Sequence, residues 1–156
     1  MAIDATEFRK TLGHLASGVT VVTTSLDGMD FGLTVTAFSS LSLNPPLVLI
    51  CIEKSIKSHD AIRAAGKFAV NLLDESQVEL SNRFASRSED KFSGLELSRG
   101  ALELPILPGT LGAIECRVTA ELPGGDHTIF VGQIEHAETR DGAPLLYFRG
   151  AYRTLA

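Results

Sequence analysis

No run of Lys and Arg forms a stripe in this chain, so nucleic acid finds no electrostatic footprint. The net charge over 156 residues is −5, modest and acidic. No apolar run approaches the roughly 20 residues that a membrane-spanning helix needs. The opening Met1-Ala2-Ile3-Asp4 lacks the charged-then-apolar layout of a signal peptide. There are only two cysteines, Cys51 and Cys116, far apart and in no metal-ligand spacing. Both lie in apolar, strand-like runs and read as reduced core residues, Cys51 with the option of facing a ligand. A cytoplasmic location is the simplest expectation. The four histidines (His14, His59, His127, His136) are scattered, with no pair at a helical ligand spacing. GxSxG, HExxH and the Gly-rich nucleotide loops of Walker or Rossmann type are all missing. The paired Glu89-Asp90 sits in a charged stretch and reads as a solvated face. Chemistry, if there is any, must therefore be borrowed from a cofactor.

What is present suits one domain over residues 1–156, with 44% hydrophobic residues to fill a core. Asp4, with Glu7 three residues on, marks a helix start, and Phe8, Leu12 and Leu15 fall on one helical face before Gly18. Strand signals come next. Val19 to Ser25 is β-branched, Asp27-Gly28 is a hairpin turn, and Phe31 to Phe38 reads as the return strand. After Pro45-Pro46, Leu47 to Ile52 is a short apolar strand. Ser58 is expected to cap a helix over His59–Ala65, closed by Gly66. Lys67 to Leu73 is a strand, and Asp74 with Gln77 starts a helix running to Ala85. Residues Arg87 to Gly109 read as irregular. In Ala113 to Leu122 the apolar Ile114, Cys116, Val118 and Ala120 alternate with Glu115, Arg117, Thr119 and Glu121, the pattern of a strand with one wet face. Pro123 to Asp126 turns into a long strand, His127 to Ala137, and Asp141-Gly142 turns into Leu145 to Phe148. Many strands, few helices and tight turns favour a mostly β protein with peripheral helices, closed or nearly closed into a barrel.

Two segments concentrate hydrogen-bond donors. Thr34 and Thr36 share one side of a strand that leads into Ser39, Ser40 and Ser42. Such a strand end suits a phosphate or the polar rim of a planar heterocycle, and equally an ordinary exposed β face. Lys54-Ser55-Ile56-Lys57-Ser58 stands at a helix start, where free N–H groups and the helix dipole attract anions; a capped helix with surface lysines is the plainer reading.

Together with motifs spread through the rest of the chain, these segments resemble the small flavin reductases, FMN-binding split-barrel proteins that serve two-component monooxygenases. The resemblance is carried by Ser17-Gly18-Val19-Thr20-Val21-Val22-Thr23-Thr24, by Gly32 through Ser42, and by Pro45-Pro46-Leu47-Val48. It continues through Cys51 with Ser55 and Ser58, Phe68-Ala69-Val70-Asn71-Leu72-Leu73, Phe84-Ala85 and Lys91-Phe92. Gly125-Asp126-His127 and Pro144 through Tyr152 complete it.

That resemblance implies a homodimer of split β-barrels with FMN or FAD near the interface and NADH or NADPH as hydride donor. Thr34, Val35, Thr36 and Ala37 would line the ring, with Ser39 and Ser40 near the ribityl chain and phosphate. Cys51 would border the ring; Ser55 and Ser58 would hold the phosphate, with Lys57 able to add charge. Phe84, Ala85, Lys91 and Phe92 match a loop around the cofactor's outer end, and Tyr152 an aromatic close to the flavin. His127 matches a residue beside the nicotinamide and is the catalytic candidate. The implied activity is transfer of a hydride from nicotinamide to flavin, with reduced flavin passed to a separate oxygenase component. The alternative on the same scaffold is a non-enzymatic flavin-binding or electron-carrier protein; the Gly125-Asp126-His127 turn favours the reductase.

Overall fold

The computed structural model describes all residues, Met1–Ala156. Helix α1 spans Ala5–Leu12, and the extended Asp4 accepts a 2.8 Å hydrogen bond from the Glu7 N–H, satisfying a donor that has no partner inside the helix. α1 buries none of its residues: Phe8, Leu12 and the following Leu15 all stay exposed. After β1 (Ser17–Gly18), β2 (Thr20–Leu26) turns through Asp27-Gly28 into β3 (Met29–Val35). The turn's φ values of 51° and 79° are both positive, as a two-residue type I′ hairpin requires.

The expected strand from Phe31 to Phe38 is broken. β3 stops at Val35, Thr36 and Ala37 lie outside any strand, and β4 (Phe38–Ser42) pairs with a new partner, β5 (Leu47–Glu53). The serines at 39, 40 and 42 therefore belong to a second strand and not to the end of the first.

α2 (Lys57–Ala65) also departs from expectation, because its cap is Ile56 and not Ser58. Ile56 packs its side chain against the main core, which pins the helix start two residues early. Ser58 falls inside the first turn and is 5% exposed. Gly66, at φ 67°, closes the helix. β6 (Lys67–Leu72) leads to α3 (Val78–Ala85) through a turn in which Asp74 Oδ1 accepts from the Ser76 N–H and Gln77 Oε1 from the Asp74 N–H. The irregular stretch after α3 contains only the short pair β7 (Ser98–Arg99) and β8 (Pro105–Ile106). β9 (Gly112–Gly124) and β10 (His127–Thr139) form a long hairpin, and β11 (Leu146–Phe148) and β12 (Ala151–Arg153) complete the chain.

Seven strands form one antiparallel sheet in the order β3-β2-β6-β9-β10-β5-β4. Its two edges, β3 and β4, are consecutive in the chain, joined by Thr36-Ala37. Six spacings of about 4.8 Å would hold the edges of a flat sheet about 29 Å apart. The chain from Val35 to Phe38 reaches only about 11 Å. The sheet must curl until its edges meet, which makes an open, or split, barrel. Its interior holds Val22, Val35, Ile50, Ile52, Phe68, Cys116 and Phe130. A second cluster lies under α3 around Val21, Leu73, Phe84 and Leu145.

Glu115 corrects the reading of β9 as a strand with one wet face. It is 1% exposed, because the segment carrying Leu102, Leu104 and Ile106 packs over that side of the sheet against Ala69 and Ala113. A buried carboxylate needs partners. The Ala101 and Leu102 N–H groups supply them, each 2.9 Å from a carboxylate oxygen. No helix is long and apolar enough to cross a membrane.

Candidate functional site

The break between β3 and β4 leaves exposed backbone at a corner. Thr36 and Ala37 are exposed, and the Cys51 N–H donates to Ala37 O at 3.0 Å, so the corner lies directly beside β5. Along β5, Ile50 and Ile52 point inward while Cys51 and Glu53 point outward. Cys51 is half-buried, and burial pushes its thiol pKa up. Its cross-strand partner is Ile129, and the next outward pair is Glu53 with His127. The corner, Cys51 and His127 thus belong to one outward face of the sheet. Ser39 and Ser40 are exposed next to it, the Ser39 hydroxyl donating to Ser40 O at 2.8 Å. Val35 packs in the core, leaving only its backbone for any ligand.

A second group lies across the free edge of β3. The Thr34 hydroxyl donates to Ser81 O of α3 at 2.6 Å, so it ties helix to strand. Lys91 Nζ donates to both Gly32 O and Phe84 O at 3.1 Å, and burial lowers its pKa. Phe92 stands edge-on to the buried Phe84, their centroids 5.0 Å apart. Ala85 is exposed beside them. Tyr152 bonds Ser81 Oγ and donates to Asn82 Oδ1, both at 2.8 Å. Thr34, Phe84, Lys91, Phe92 and Tyr152 are therefore joined through α3.

The residues expected around a phosphate are less uniform. The Ser55 hydroxyl donates to Glu53 Oε1 at 2.9 Å, and Ser58 Oγ has no hydrogen-bond partner in the chain. Lys57 forms a 2.9 Å ion pair with Glu89, both side chains being more than three-quarters exposed. That hydrogen bond and the lysine's charge hold the Glu89 carboxyl below its ordinary range. The cap Ile56 offers no side chain to the first N–H groups of α2, so this positive helix end stays open to an anion.

His127 follows the two-residue turn Gly125-Asp126, in which Gly125 has φ 69°. Its Nδ1 lies 2.7 Å from Asp126 Oδ1, and the Lys54 N–H donates to Asp126 O at 3.0 Å. The one buried histidine, His59, is a packing residue: Nε2 meets Thr128 Oγ1 at 2.7 Å and the ring lies 5.4 Å from Phe130.

Residues 12–156 match the flavin reductase like domain. The chain belongs to the flavin reductase-like family. Among its relatives is a flavin-dependent monooxygenase reductase subunit, HsaB of Rhodococcus jostii, 43% identical over 152 residues that cover 97% of this chain and 78% of that protein. An NADH-dependent FMN reductase of Agrobacterium fabrum is 43% identical over 145 residues, covering 93% of this chain and 83% of its own. The solved structure of a Streptomyces globisporus NADH:FAD oxidoreductase, in complex with NAD and FAD fragments, has a TM-score of 0.94 at 34% identity and covers 98% of this chain and 93% of that one.

Against that family background, sequence reasoning overlooked several partners. Ser81 and Asn82 anchor Tyr152, and Glu89 pairs with Lys57, without any local signal in the sequence. Gly32 and Asp126 stand inside the motifs that carry the family resemblance. A Cβ on Gly32 would come within 2.7 Å of Phe84, so that glycine is required by packing.

Proposed function

We propose that this chain is an NAD(P)H-dependent flavin reductase, the reductase component that supplies reduced FMN or FAD to a separate monooxygenase. One observation carries the reading: an exposed backbone corner, a half-buried apolar floor at Cys51 and Ile129, and His127 share one outward face of the sheet. The donor set fits a flavin. The exposed Thr36 and Ser40 hydroxyls and the backbone N–H groups at Thr36 and Ala37 suit the ring edge and ribityl chain, with Ser39 able to join once its hydroxyl leaves Ser40 O. The open N-terminus of α2, with Lys57 beside it, suits the phosphate; Ser55 and Ser58 would contribute only after Ser55 leaves Glu53 or the Ser58 hydroxyl meets the ligand at the surface. When bound, a flavin accepts a hydride from the nicotinamide.

The protein's part is to hold the two rings at attack distance and exclude water, which requires no nucleophile or metal. Thr34, Lys91 and Tyr152 act at one remove: they fix α3 and its following loop, and with them Phe84, Ala85 and Phe92, around the outer end of the cofactor. His127 presents its free Nε2 to the nicotinamide side.

We assign the active form as a homodimer in which a second copy covers the apolar face of α1 and the exposed Leu41, Leu43 and Leu122. Residues 1–156 act as one domain, and the two free cysteines suit a cytoplasmic protein.

The test is NADH and NADPH oxidation measured with FMN and with FAD. Flavin-dependent turnover with at least one combination is expected; none with any would sink the assignment. Sedimentation equilibrium checks the dimer.

A further inference from the structure

The turn that carries His127 is held more firmly than its exposed position suggests. Gly125 takes the positive φ that a two-residue connection needs, the Lys54 N–H fixes Asp126 O at 3.0 Å, and His127 is paired across the ladder with Glu53. The Asp126 carboxylate therefore starts from a fixed backbone and meets His127 Nδ1 at 2.7 Å. An ionised carboxylate only accepts hydrogen bonds, so Nδ1 must carry the proton. In the neutral ring Nε2 is then left as a bare acceptor. No group of the chain bonds Nε2, and the His127 side chain is 40% exposed. Of the other groups nearby, the Glu53 carboxylate is engaged by the Ser55 hydroxyl.

We propose that Asp126 is a positioning residue: it locks the Nδ1–H tautomer of His127, so that Nε2 accepts a hydrogen bond from the carboxamide N–H of the nicotinamide. The inference rests on the reading of His127 as the nicotinamide-side residue and adds what that reading lacks, a ligand group and a reason for the acid before the histidine. The same Asp–His contact holds the imidazole plane, so that the nicotinamide ring is fixed by its amide and not by stacking alone.

Two measurements test this in the full-length protein. The first is the ¹⁵N spectrum of the His127 imidazole at alkaline pH. The Nδ1–H form is expected in the wild type, with a shift toward the Nε2–H form ordinarily preferred in water in Asp126→Ala. A wild-type Nε2–H form, or an unchanged spectrum in the variant, overturns the proposal. The second is discrimination between reduced NAD and its reduced 3-acetylpyridine analogue, which has a methyl group in place of the amide NH₂. The ratio of kcat/KM values should fall roughly tenfold in Asp126→Ala, about one hydrogen bond's worth, with flavin affinity unchanged. An unchanged ratio overturns the acceptor role. His127→Ala separates this failure from failure of the underlying reading. If His127→Ala reduces flavin at the wild-type rate, His127 is not beside the nicotinamide at all, whatever tautomer it holds.

Discussion

Gly32→Ala is expected to destabilise the fold and weaken flavin binding together. A Cβ at this position would lie 2.7 Å and 3.0 Å from two atoms of the Phe84 ring and 3.1 Å from Phe92. Carbon atoms in contact prefer about 3.5–4.0 Å, so the aromatic pair must retreat by close to 1 Å. It has little room. Phe84 is fully buried, packed edge-on against Phe92, and its helix is tied to β3 by Thr34 and Lys91. Overpacking of this kind costs about 1–3 kcal/mol. For a domain of this size each kcal/mol lowers Tm by roughly 2–4 °C, so a fall of roughly 2–12 °C is expected. The retreat pushes α3 outward and carries Phe84, Ala85 and the anchors of Tyr152 with it. Gly18→Ala is the control, because its methyl group meets nothing within 4 Å, and its Tm should stay near wild type. Differential scanning calorimetry and flavin titration on both variants decide the matter. If Gly32→Ala melts and binds flavin like Gly18→Ala, then α3 is not held against β3 as tightly as argued, and its link to the flavin site falls.

Other outcomes depend on the buried and charged groups. Glu115→Gln should lose about 1.5–3 kcal/mol in urea denaturation, since an amide can accept from only one of the Ala101 and Leu102 N–H groups and turns its own NH₂ toward the other. With a disulfide reagent, Cys51 should react slowly in the native protein and be protected by bound flavin, while Cys116, whose pKa burial pushes up to about 12, should react only after unfolding. Flavin that leaves the rate at Cys51 unchanged would refute the ring position. Asp74, Glu89 and Asp126 all have lowered carboxyl pKa values, through Ser76, Lys57 and His127 respectively. Lowered folded-state values stabilise above the unfolded range and lose that contribution as pH falls through it, so urea midpoints should decline below about pH 4. Asp74→Asn should flatten that decline, and an unchanged slope would remove Asp74 from the account.

Local chemistry was legible where it acts over a few residues. The Asp4 cap and the Asp27-Gly28 turn need only neighbours and stand where the sequence put them, while the turn expected over Pro123 to Asp126 narrows to Gly125-Asp126 because β9 runs on to Gly124. Readings failed where a distant segment intervened. Glu115 alternates like a surface residue, and only the segment around Leu102, more than ten residues earlier, buries it. Ser58 has the chemistry of a cap, but the packing of Ile56 against the core decided where α2 begins. The break at Thr36-Ala37 is likewise a consequence of barrel closure, which hydroxyl content and alternation do not express. At the candidate site, residue types were readable and partners were not: that Lys91 serves two carbonyls, and Thr34 the carbonyl of Ser81, depends on where α3 docks.

The position of the site is set by how this barrel disposes of its edges. An edge strand carries backbone N–H and C=O groups without ladder partners, a liability if they are left open. Along β3 the protein covers that edge with its own groups, since Lys91 takes the carbonyl of Gly32 and α3 lies alongside. At Thr36-Ala37, where the chain leaves one edge to become the other, both carbonyls are engaged, Thr36 O by the Phe38 N–H and Ala37 O by the Cys51 N–H, while the two residues themselves stay exposed. A planar heterocycle with donors and acceptors along one rim can complete such an edge as another strand would, while its faces require an apolar floor that a strand does not. On the proposed reading the cross-strand pair Cys51 and Ile129 would supply that floor. The connector after β5 then links both ends of the ligand path: Lys54 steadies the turn of His127, and the open end of α2 begins three residues later. On the proposed reading, barrel closure explains why one short stretch of sequence would face the ring, the phosphate and the hydride donor together.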